Sequence, residues 1–294
     1  MKIIVIGTVA FSKEMLKILL KNNSKILGVV ASNDTSINSD YVDLKPLCKQ
    51  NNIPCFITDD VNSKETQDWI SSFHPDVIFC FGWSRLLKKA ILSLPPLGVI
   101  GYHPSEIPKN RGRHPIIWSL VLGLRRTASS FFIMNENPDS GDIVSQTIID
   151  INDDDDAKTL YDKLISVAKS QLIEITNNLD KLDSLKIPQN ESQTNFWRKR
   201  SKKDGEIDWR MSARSIHNLV RGLTAPYPGA HFYYQEKKYK VWKTKLVENF
   251  SDMDIEPGKV MVVTKSGKPI IKCGDGFLKL IQLDPLNLEK GDYL

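Results

Sequence analysis

Short apolar runs alternate with amphipathic segments through the first hundred residues, and this alternation constrains the fold more than any other feature. Each run is rich in β-branched residues, and the segment after it spaces apolar residues by three and four. The predicted strands are Lys2–Ile6, Lys25–Ser32, Pro54–Ile57, Asp76–Phe81 and Gly98–His103. The predicted helices between them are Ser12–Asn22, Val42–Asn51, Asn62–Ser72 and Leu86–Ser93. Strands that alternate with helices predict an α/β fold with a doubly wound, mostly parallel sheet.

The second half of the chain has a different pattern, in which strands follow one another. A helix is predicted at Pro115–Leu122, paired strands at Ala128–Asn135 and Ile143–Ile151, and a long helix at Ala157–Leu179. After a polar stretch come a short helix, Ala213–Gly222, and five short strands: His231–Tyr234, Lys238–Leu246, Lys259–Thr264, Pro269–Cys273 and Phe277–Leu283. We therefore predict a domain over residues 1–185, a linker over 186–204 and a small β-barrel-like domain over 205–294.

Composition excludes several classes of protein. No run of eighteen apolar residues occurs among the 294, which argues against a transmembrane helix. The apolar start breaks at Gly7 without a small-residue cleavage site, so it is interpreted as a core strand and not as a signal peptide. The four cysteines, Cys48, Cys55, Cys80 and Cys273, form no C-x-x-C pair. Reduced thiols in a cytoplasmic protein, with no metal site and no disulfide framework, are expected.

The net charge of +5 comes from the last third of the chain. From Glu191 onward 19 lysines and arginines face 13 acidic residues, whereas residues 1–190 hold 21 against 22. A basic tail favours an anionic partner such as a phosphate, a sugar nucleotide or RNA. A solvated lysine-rich surface gives the same balance, and on charge alone we favour that plainer interpretation.

Two further patterns are weak evidence for a ligand. The acidic run Asp153–Asp156 precedes a predicted helix, where carboxylates cap the backbone, so capping is preferred over a metal site. The turn at Gly7 lacks the G-x-G-x-x-G spacing of dinucleotide binders, and no G-x-x-x-x-G-K-[ST] sequence occurs. That turn can still receive a polar group of a substrate at the start of the next helix.

Two polar constellations follow the ends of predicted strands. His103 ends an apolar run and precedes Pro104 and Ser105, and Asp139 lies in the turn Pro138–Asp142 between two strands. Open α/β sheets place their chemistry where strands end. An imidazole beside a carboxylate is a common acid–base pair, because the carboxylate orients the ring. A structural role is equally open for His103 alone, and the turn at Asp139 favours the catalytic one.

Several short motifs are spread over nearly the whole chain. They are Gly7-Thr8…Phe11-Ser12, His103-Pro104-Ser105, Pro108-Lys109…Arg111-Gly112, Asp139-Ser140-Gly141-Asp142-Ile143, Asp208-Trp209, Ile216–Arg221 and Pro226–Ala230. Together they resemble the formyltransferases that use 10-formyltetrahydrofolate, a family that acts on methionyl-tRNA, glycinamide ribonucleotide or nucleotide-linked amino sugars. The resemblance implies the formyltransferase fold, an OB-like C-terminal domain and a one-carbon transferase with 10-formyltetrahydrofolate as co-substrate.

The resemblance also implies a catalytic set made of an Asn-x-His sequence and a downstream aspartate. His103 matches the histidine and Asp139 the aspartate, but Gly101 stands where the family has the asparagine, whose amide stabilises the oxyanion. Loss of an oxyanion donor costs about a hundredfold in rate or more. Three accounts are open: protonated His103 acts alone, Asn110 reaches the site from its loop, or the protein is a poor or inactive enzyme. We favour an active enzyme in which the loop of Asn110 compensates.

Two binding regions follow from the same resemblance. The pterin is expected in a pocket of loop backbone groups, at Phe81, Gly82, Trp83, Ser84, Arg85, Leu86, Leu87, Asn135, Asp139 and Gly141. The acceptor is expected at Thr8, Phe11, Ser105, Lys109, Arg111, Gly112 and Arg113. Lys109 or Arg113 could pair with a pyrophosphate, although an exposed Arg-Gly-Arg turn is also compatible with simple solvation.

The prediction of the acceptor depends on the absence of basic residues from the stretch after the second predicted strand. The tRNA enzymes carry a basic insertion after the second strand, since a protein that holds RNA phosphates needs lysine and arginine there. The equivalent stretch here, Asn33–Tyr41, has no lysine or arginine. We therefore expect a nucleotide-linked amino deoxysugar of surface-polysaccharide biosynthesis as the substrate. A methionyl-tRNA formyltransferase, and a folate- or nucleotide-binding protein without turnover, remain alternatives.

The remaining partner predictions are brief. Neither nucleic acid nor membrane is expected as a partner. The sugar enzymes are often dimers, so a homodimer through the C-terminal region is one expectation. The apolar alternation of Lys238–Leu246 is equally compatible with an intramolecular sheet.

Overall fold

The alternation of strands and helices is present in the folded chain as the sequence predicts. A computed structural model describes residues 1–36, 39–248 and 254–294. Its first elements are β1 (Lys2–Gly7), α1 (Ala10–Lys21), β2 (Lys25–Ala31), α2 (Lys45–Gln50), β3 (Cys55–Ile57), α3 (Lys64–Ser72), β4 (Val77–Phe81), α4 (Lys89–Leu92) and β5 (Val99–His103). Every strand and helix predicted up to His103 is confirmed, with differences only at the ends.

The rest of the chain contains the ten elements that the sequence predicts there and three short ones that it does not, Arg111–Gly112, Leu182–Leu185 and Phe196–Trp197. In order they are β6 (Arg111–Gly112), α5 (Pro115–Val121), β7 (Arg126–Ile133), β8 (Ile143–Asp150), α6 (Ala157–Asn177), α7 (Leu182–Leu185), β9 (Phe196–Trp197), α8 (Ala213–Leu223), β10 (Ala230–Tyr234), β11 (Lys237–Val247), β12 (Val260–Val263), β13 (Pro269–Lys272) and β14 (Phe277–Leu283). Strands β6 and β9 pair in parallel, so part of the predicted linker is ordered against an earlier loop.

The large sheet has seven strands in the order β3-β2-β1-β4-β5-β7-β8. Pairs among β1 to β5 are parallel, and β7 runs antiparallel to β5. The chain goes outward from β1 to β3 and then returns to the other side of β1 at β4. Such a reversal leaves a crevice at the carboxyl ends of the strands, where open α/β sheets bind ligands. The carboxyl ends of β1, β4 and β5 therefore define the edge at which a site is expected.

A tight turn fixes the carboxyl end of β1 against that of β4. Ser12 Oγ donates to the carbonyl of Phe81 at 2.5 Å and accepts from the amide of Thr8 at 3.1 Å. A Cβ on Gly7 would lie 2.6 Å from the same carbonyl oxygen, so the turn requires glycine there. The close approach of two strand ends explains the Gly-Thr sequence without any phosphate.

The C-terminal sheet is antiparallel, with the order β10-β11-β14-β13-β12. Helix α8 covers one face of it, and Ser212 caps this helix by accepting from the amide of Ser215 at 3.1 Å. Ile216, Leu219 and Val220 on α8 are buried in the same core as strand residues of the sheet. Strand β11 has neighbours on both sides within the chain, which accounts for its alternation as that of an interior strand.

The chain divides into two compact units. The first consists of Met1–Pro115, Thr127–Ile149 and Asp162–Trp197, and the second of Ile116–Arg126, Asp150–Tyr161 and Arg198–Leu294. In the acidic run before α6, Asp156 Oδ1 accepts from the backbone amides of Lys158 and Thr159, as expected of a helix cap. None of the described helices combines the length and apolar character that crossing a bilayer requires.

Candidate functional site

His103 closes β5 at the carboxyl edge of the large sheet. Its register partner on β7 is Ser130, and Gly101 faces Phe132 in the same ladder. Side chains alternate along a strand, so positions 101 and 103 share one face. The histidine is only 5% exposed. A buried imidazole at a strand end needs polar partners, and two loops supply them.

Two groups hold the two ring nitrogens of His103. Nε2 lies 2.9 Å from the carbonyl oxygen of Asn110, and Nδ1 lies 3.6 Å from Asp139 Oδ2. A carbonyl only accepts hydrogen bonds, so Nε2 carries a proton in this arrangement. Nδ1 is then the nitrogen left to exchange a proton, and a carboxylate stands next to it. This is the arrangement expected of an acid–base pair.

The loop of Asp139 adopts a conformation that few residues tolerate. Asp139 has a φ of 56°, in the left-handed region where aspartate is one of the few residues found. A Cβ on Gly141 would lie only 1.7 Å from the carbonyl oxygen of Ile133, so glycine is required there. Asp139 Oδ2 also accepts from the backbone amide of Gly112 at 2.9 Å. The carboxylate is therefore directed by its own backbone and by a second loop.

Asn110 reaches the histidine with its backbone and not with its side chain. Its carbonyl oxygen also accepts from Ser105 Oγ at 2.9 Å. The side-chain oxygen of Asn110 instead accepts from Asn195 Nδ2 at 3.2 Å, and the backbone amide of Asn110 donates to Asn195 Oδ1 at 2.8 Å. The predicted role of Asn110 as an oxyanion donor stays a prediction. What the structure adds is a carbonyl that fixes the orientation of His103.

Met134 occupies the space beside Gly101. A Cβ built on Gly101 would lie 2.7 Å from Met134 Cγ, 3.0 Å from its sulfur and 3.1 Å from Phe132 Cζ. An asparagine at this position would thus displace the methionine. The departure from the family motif at Gly101 is accompanied by a bulky side chain just after the end of the neighbouring strand β7.

The residues predicted to hold the pterin differ in burial and in their contacts within the chain. Phe81 and Leu87 are buried in the core, whereas Leu86 is 59% exposed. Gly82 has a φ of 63°, and the indole nitrogen of Trp83 is buried without a hydrogen-bond partner in the described chain. The others have internal contacts: the Ser84 carbonyl accepts from Arg113, Arg85 pairs with Asp34, and Asn135 Oδ1 accepts from Ser140 Oγ.

The residues predicted to hold the acceptor also differ in accessibility. Thr8 and Phe11 are buried, and Phe11 stacks on the ring of Tyr102 at 4.1 Å. Ser105 is fully buried. Lys109 is exposed, and no described side chain pairs with its ammonium group. Arg113 is half-buried and donates from Nη1 to the Ser84 carbonyl at 2.8 Å. Among the described residues predicted to hold the acceptor, Lys109 and Arg113 are thus the ones that present positive charge at the surface.

Arg111, also predicted to contact the acceptor, is 2% exposed and fully engaged within the chain. Its guanidinium donates to Gln189 Oε1 at 2.7 Å and to Glu191 Oε1 at 2.7 Å. This hydrogen bond is the main reason that the pKa of Glu191 lies below its ordinary value. Gln189, Glu191 and Asn195 were not predicted as site residues. They lie in a polar stretch without periodicity, and the pairing of β6 with β9 brings them to the site.

Comparison with known proteins gives a consistent picture. Residues 1–176 match the family model described as formyl transferase, and residues 199–290 match that of the formyl transferase C-terminal domain. The chain is 31% identical over 288 residues to the methionyl-tRNA formyltransferase of Caldanaerobacter subterraneus subsp. tengcongensis, covering 96% of this chain and 92% of that protein. The methionyl-tRNA formyltransferase of Clostridioides difficile is 34% identical over 271 residues, covering 91% and 87%.

A solved structure extends the comparison to the fold. The N-formyltransferase of Helicobacter canadensis, in complex with folinic acid and dTDP-3-aminofucose, superposes with a TM-score of 0.71. The two chains are 18% identical, and the match covers 95% of this chain and 98% of the other. At that identity the likeness concerns the fold.

Proposed function

The chain belongs to the formyltransferase family, and on that premise we propose that it transfers a formyl group from 10-formyltetrahydrofolate to the amine of a nucleotide-linked amino sugar. The observation that carries the proposal is the contact between His103 Nδ1 and Asp139 Oδ2, 3.6 Å apart at the carboxyl edge of the sheet. Formyl transfer to an amine requires removal of a proton from the amine, and this pair of a buried imidazole and a partly exposed carboxylate is suited to accept it.

The residues expected to hold the folate fit such a ligand. The buried indole nitrogen of Trp83 lacks a partner in the described chain, and a polar ring edge would satisfy it. The exposed side chain of Leu86 offers apolar surface in the same loop. The turns at Gly82 and Gly141 have no room for a side chain, which leaves their backbone groups uncovered by one, as recognition of a pterin by its hydrogen-bonding edge requires. When bound, 10-formyltetrahydrofolate supplies the formyl carbon.

His103 and Asp139 divide the proton transfer between them. Because Nε2 is fixed by the Asn110 carbonyl, Nδ1 is the atom that accepts the proton of the amine as its bond to the formyl carbon forms, and it returns this proton to the folate nitrogen whose bond to that carbon breaks. The carboxylate of Asp139 stabilises the imidazolium that results. The amide of Gly112 keeps that carboxylate in place, so it does not rotate away between turnovers.

Charge supports a sugar nucleotide as the acceptor. Lys109 and Arg113 lie in the loop that follows His103, where their charges suit a pyrophosphate. In the described part of the stretch Asn33–Tyr41, Asp34 pairs with Arg85 at 3.4 Å, so this arginine already has a carboxylate partner and is less suited to hold RNA phosphates. Ile37 and Asn38 of this stretch lie outside the described residues.

A second candidate is transfer to methionyl-tRNA. It is favoured by 31% and 34% identity to two methionyl-tRNA formyltransferases over most of both chains. The basic balance of the last third of the chain is compatible with it. An acceptor of this kind would make the rate strongly dependent on salt, because phosphate contacts release counterions.

The test is formyl transfer from 10-formyltetrahydrofolate to a panel of dTDP-, UDP- and GDP-linked amino sugars, with initiator methionyl-tRNA beside them. Mass spectrometry reports the gain of one formyl group. We expect gain on a sugar nucleotide and none on tRNA. Gain on tRNA alone would replace the first candidate with the second. No gain on any amine, together with folate binding, would favour a binding protein without turnover.

A further inference from the structure

We propose that Gln189 is a positioning residue for the His103–Asp139 pair, which it serves by holding two loops together. One loop carries Asp139 and Gly141, and the other carries Arg111. The inference rests on the proposed function, because it concerns the same acid–base pair. It assigns a role in the site to a segment whose sequence reads as a linker.

The side-chain amide of Gln189 uses all of its hydrogen-bonding capacity. Nε2 donates to the carbonyl oxygens of Asp139 at 2.9 Å and Gly141 at 2.6 Å. Oε1 accepts from Arg111 Nη2 at 2.7 Å and Nε at 3.2 Å. Carbonyls only accept and a guanidinium only donates, so the chemistry of the partners fixes which end of the amide is which. A single side chain therefore bridges two loops with four bonds.

The Arg111 side of this bridge is rigid. The arginine is almost completely buried, and Glu191 takes two of its remaining donors at 2.7 and 3.0 Å. The ring of Phe196 lies 5.9 Å from the guanidinium carbon. A buried charge that is paired and hydrogen-bonded has little freedom to move. Gln189 is thus anchored to a fixed point.

The other side of the bridge controls where the carboxylate stands. Asp139 is held at its backbone oxygen by Gln189 and at Oδ2 by the amide of Gly112. The imidazole of His103 is held by the carbonyl of Asn110. Every one of these anchors leads to the run 110–112, so the spacing between carboxylate and imidazole depends on how the Asp139 loop docks on that run. Without Gln189, the Gly112 bond is the one hydrogen bond left between the Asp139 loop and this run among the described residues.

The test compares two variants with the same chemical change. Gln189→Glu keeps the shape and the contact with Arg111 but removes both N–H donors, and it sets an oxygen against two carbonyls. Gln193→Glu makes the same change on an exposed side chain of the same segment. We expect Gln189→Glu to lower kcat by about 10- to 100-fold, as small misplacements of reacting groups do, with KM for both substrates retained. Gln193→Glu should match the wild type.

A second readout is independent of turnover. The imidazole ¹⁵N resonances of His103, identified by their loss in His103→Asn, report the environment of Nδ1 and Nε2 directly. We expect them to shift in Gln189→Glu and to stay in place in Gln193→Glu. If Gln189→Glu does not fold, Gln189→Leu removes the donors without adding a charge and takes its place.

Each outcome decides the matter. An unchanged kcat, or a lower kcat with unmoved His103 resonances, would overturn the proposal, since a loss of general stability leaves the local environment of the ring as it was. If the wild type formylates no acceptor, the proposed function fails, and the resonances alone still decide whether Gln189 positions the pair.

Discussion

At Gly101 the backbone of β5 lies directly against the side chain of Met134, on the face of the strand that carries His103. The family motif places an amide here, and in this chain a thioether takes up the space. A thioether is a weak hydrogen-bond acceptor and no donor, so it cannot stabilise negative charge as an amide does. The residues proposed to transfer the proton, His103 and Asp139, are therefore present, while apolar volume stands where the family has the amide on this strand.

The pair of positions 101 and 134 should behave as a unit. We expect Gly101→Asn to lower the free energy of unfolding by about 1–3 kcal/mol, because its Cβ enters space held by Met134. Combined with Met134→Ala, the loss should be smaller than the sum of the two single losses. Urea unfolding of the wild type, the two single variants and the double variant gives the coupling free energy between the two positions. Additive losses would contradict the expectation. The double variant should also transfer formyl faster than the Met134→Ala single variant does, because it has the amide that stabilises the oxyanion.

His103 should matter for turnover and little for folate binding. We expect His103→Asn to lower kcat by about a hundredfold to ten-thousandfold, the range for loss of a general acid–base group. Folate affinity, measured by a fluorescence titration, should stay near that of the wild type. Equal transfer rates for the two proteins would remove His103 from the mechanism.

Among the elements, regular periodicity made prediction possible and its absence prevented it. The strand Gly98–His103 was predicted from a run of apolar residues and is β5, starting one residue later. Helix α4 is shorter than predicted, Lys89–Leu92, because Leu86 faces solvent and Lys88 donates its amide to Asn62 Oδ1 instead of entering a helix. Two-residue strands such as β6 and β9 have no period to detect.

The same distinction applies to the site. The proximity of His103 and Asp139 could be predicted, because His103 ends a recognisable strand and Asp139 lies in a recognisable turn. The position of Gln189 could not, because its contacts come from pairing between segments far apart in sequence. Arg111 was expected at the acceptor from the family resemblance, and a motif in a sequence does not tell a buried ion pair from a surface one. Burial and partners are properties of the fold, and no single-sequence pattern encodes them.

Helix α8 carries a histidine whose titration affects stability. His217 Nδ1 lies 2.9 Å from Thr244 Oγ1, and burial lowers the pKa of His217 to about 4. The unfolded chain, with an ordinary histidine, binds this proton near pH 6.5, so stability falls as the pH drops from about 6.5 toward 4.

We expect protonation of His217 in the unfolded chain to make the free energy of unfolding about 1–2 kcal/mol lower at pH 5 than at pH 7.5. His217→Asn keeps an acceptor for Thr244 and should lack this part of the pH dependence. Urea unfolding of both proteins at the two pH values measures the difference, which would vanish if His217 were protonated in the folded state.

On the scale of the whole molecule, the acid–base pair and the excess positive charge belong to different units. His103 and Asp139 lie in the first unit, and Arg198–Leu294, which accounts for most of the basic tail, lies in the second. On the C-terminal sheet Lys245 stands directly across from Lys279, and like charges so placed do not stabilise a sheet by themselves. Their presence reflects solubility or a polyanionic partner.

Charge reversal on this sheet separates those two explanations. We expect Lys243→Glu, Lys245→Glu and Lys279→Glu together to leave formyl transfer to a sugar nucleotide unchanged. Transfer to tRNA, in contrast, would become slower and less dependent on salt, since each lost phosphate contact reduces the salt slope. Rates measured over a range of potassium chloride concentrations distinguish the two, and a loss with the sugar nucleotide would contradict the expectation.

The bonds that join the two loops of the site link residues far apart in the chain. Arg111 and Gln189 are separated by 78 positions, and Asn110 and Asn195 by 85. Contacts of such separation form late in folding, and a ribosome delivers the chain from its amino end. A nascent chain that has been synthesised as far as residue 141 already contains His103 and Asp139. It still lacks Gln189 and Asn195, whose hydrogen bonds join the loops. Translation must proceed through Trp197 before the site can close.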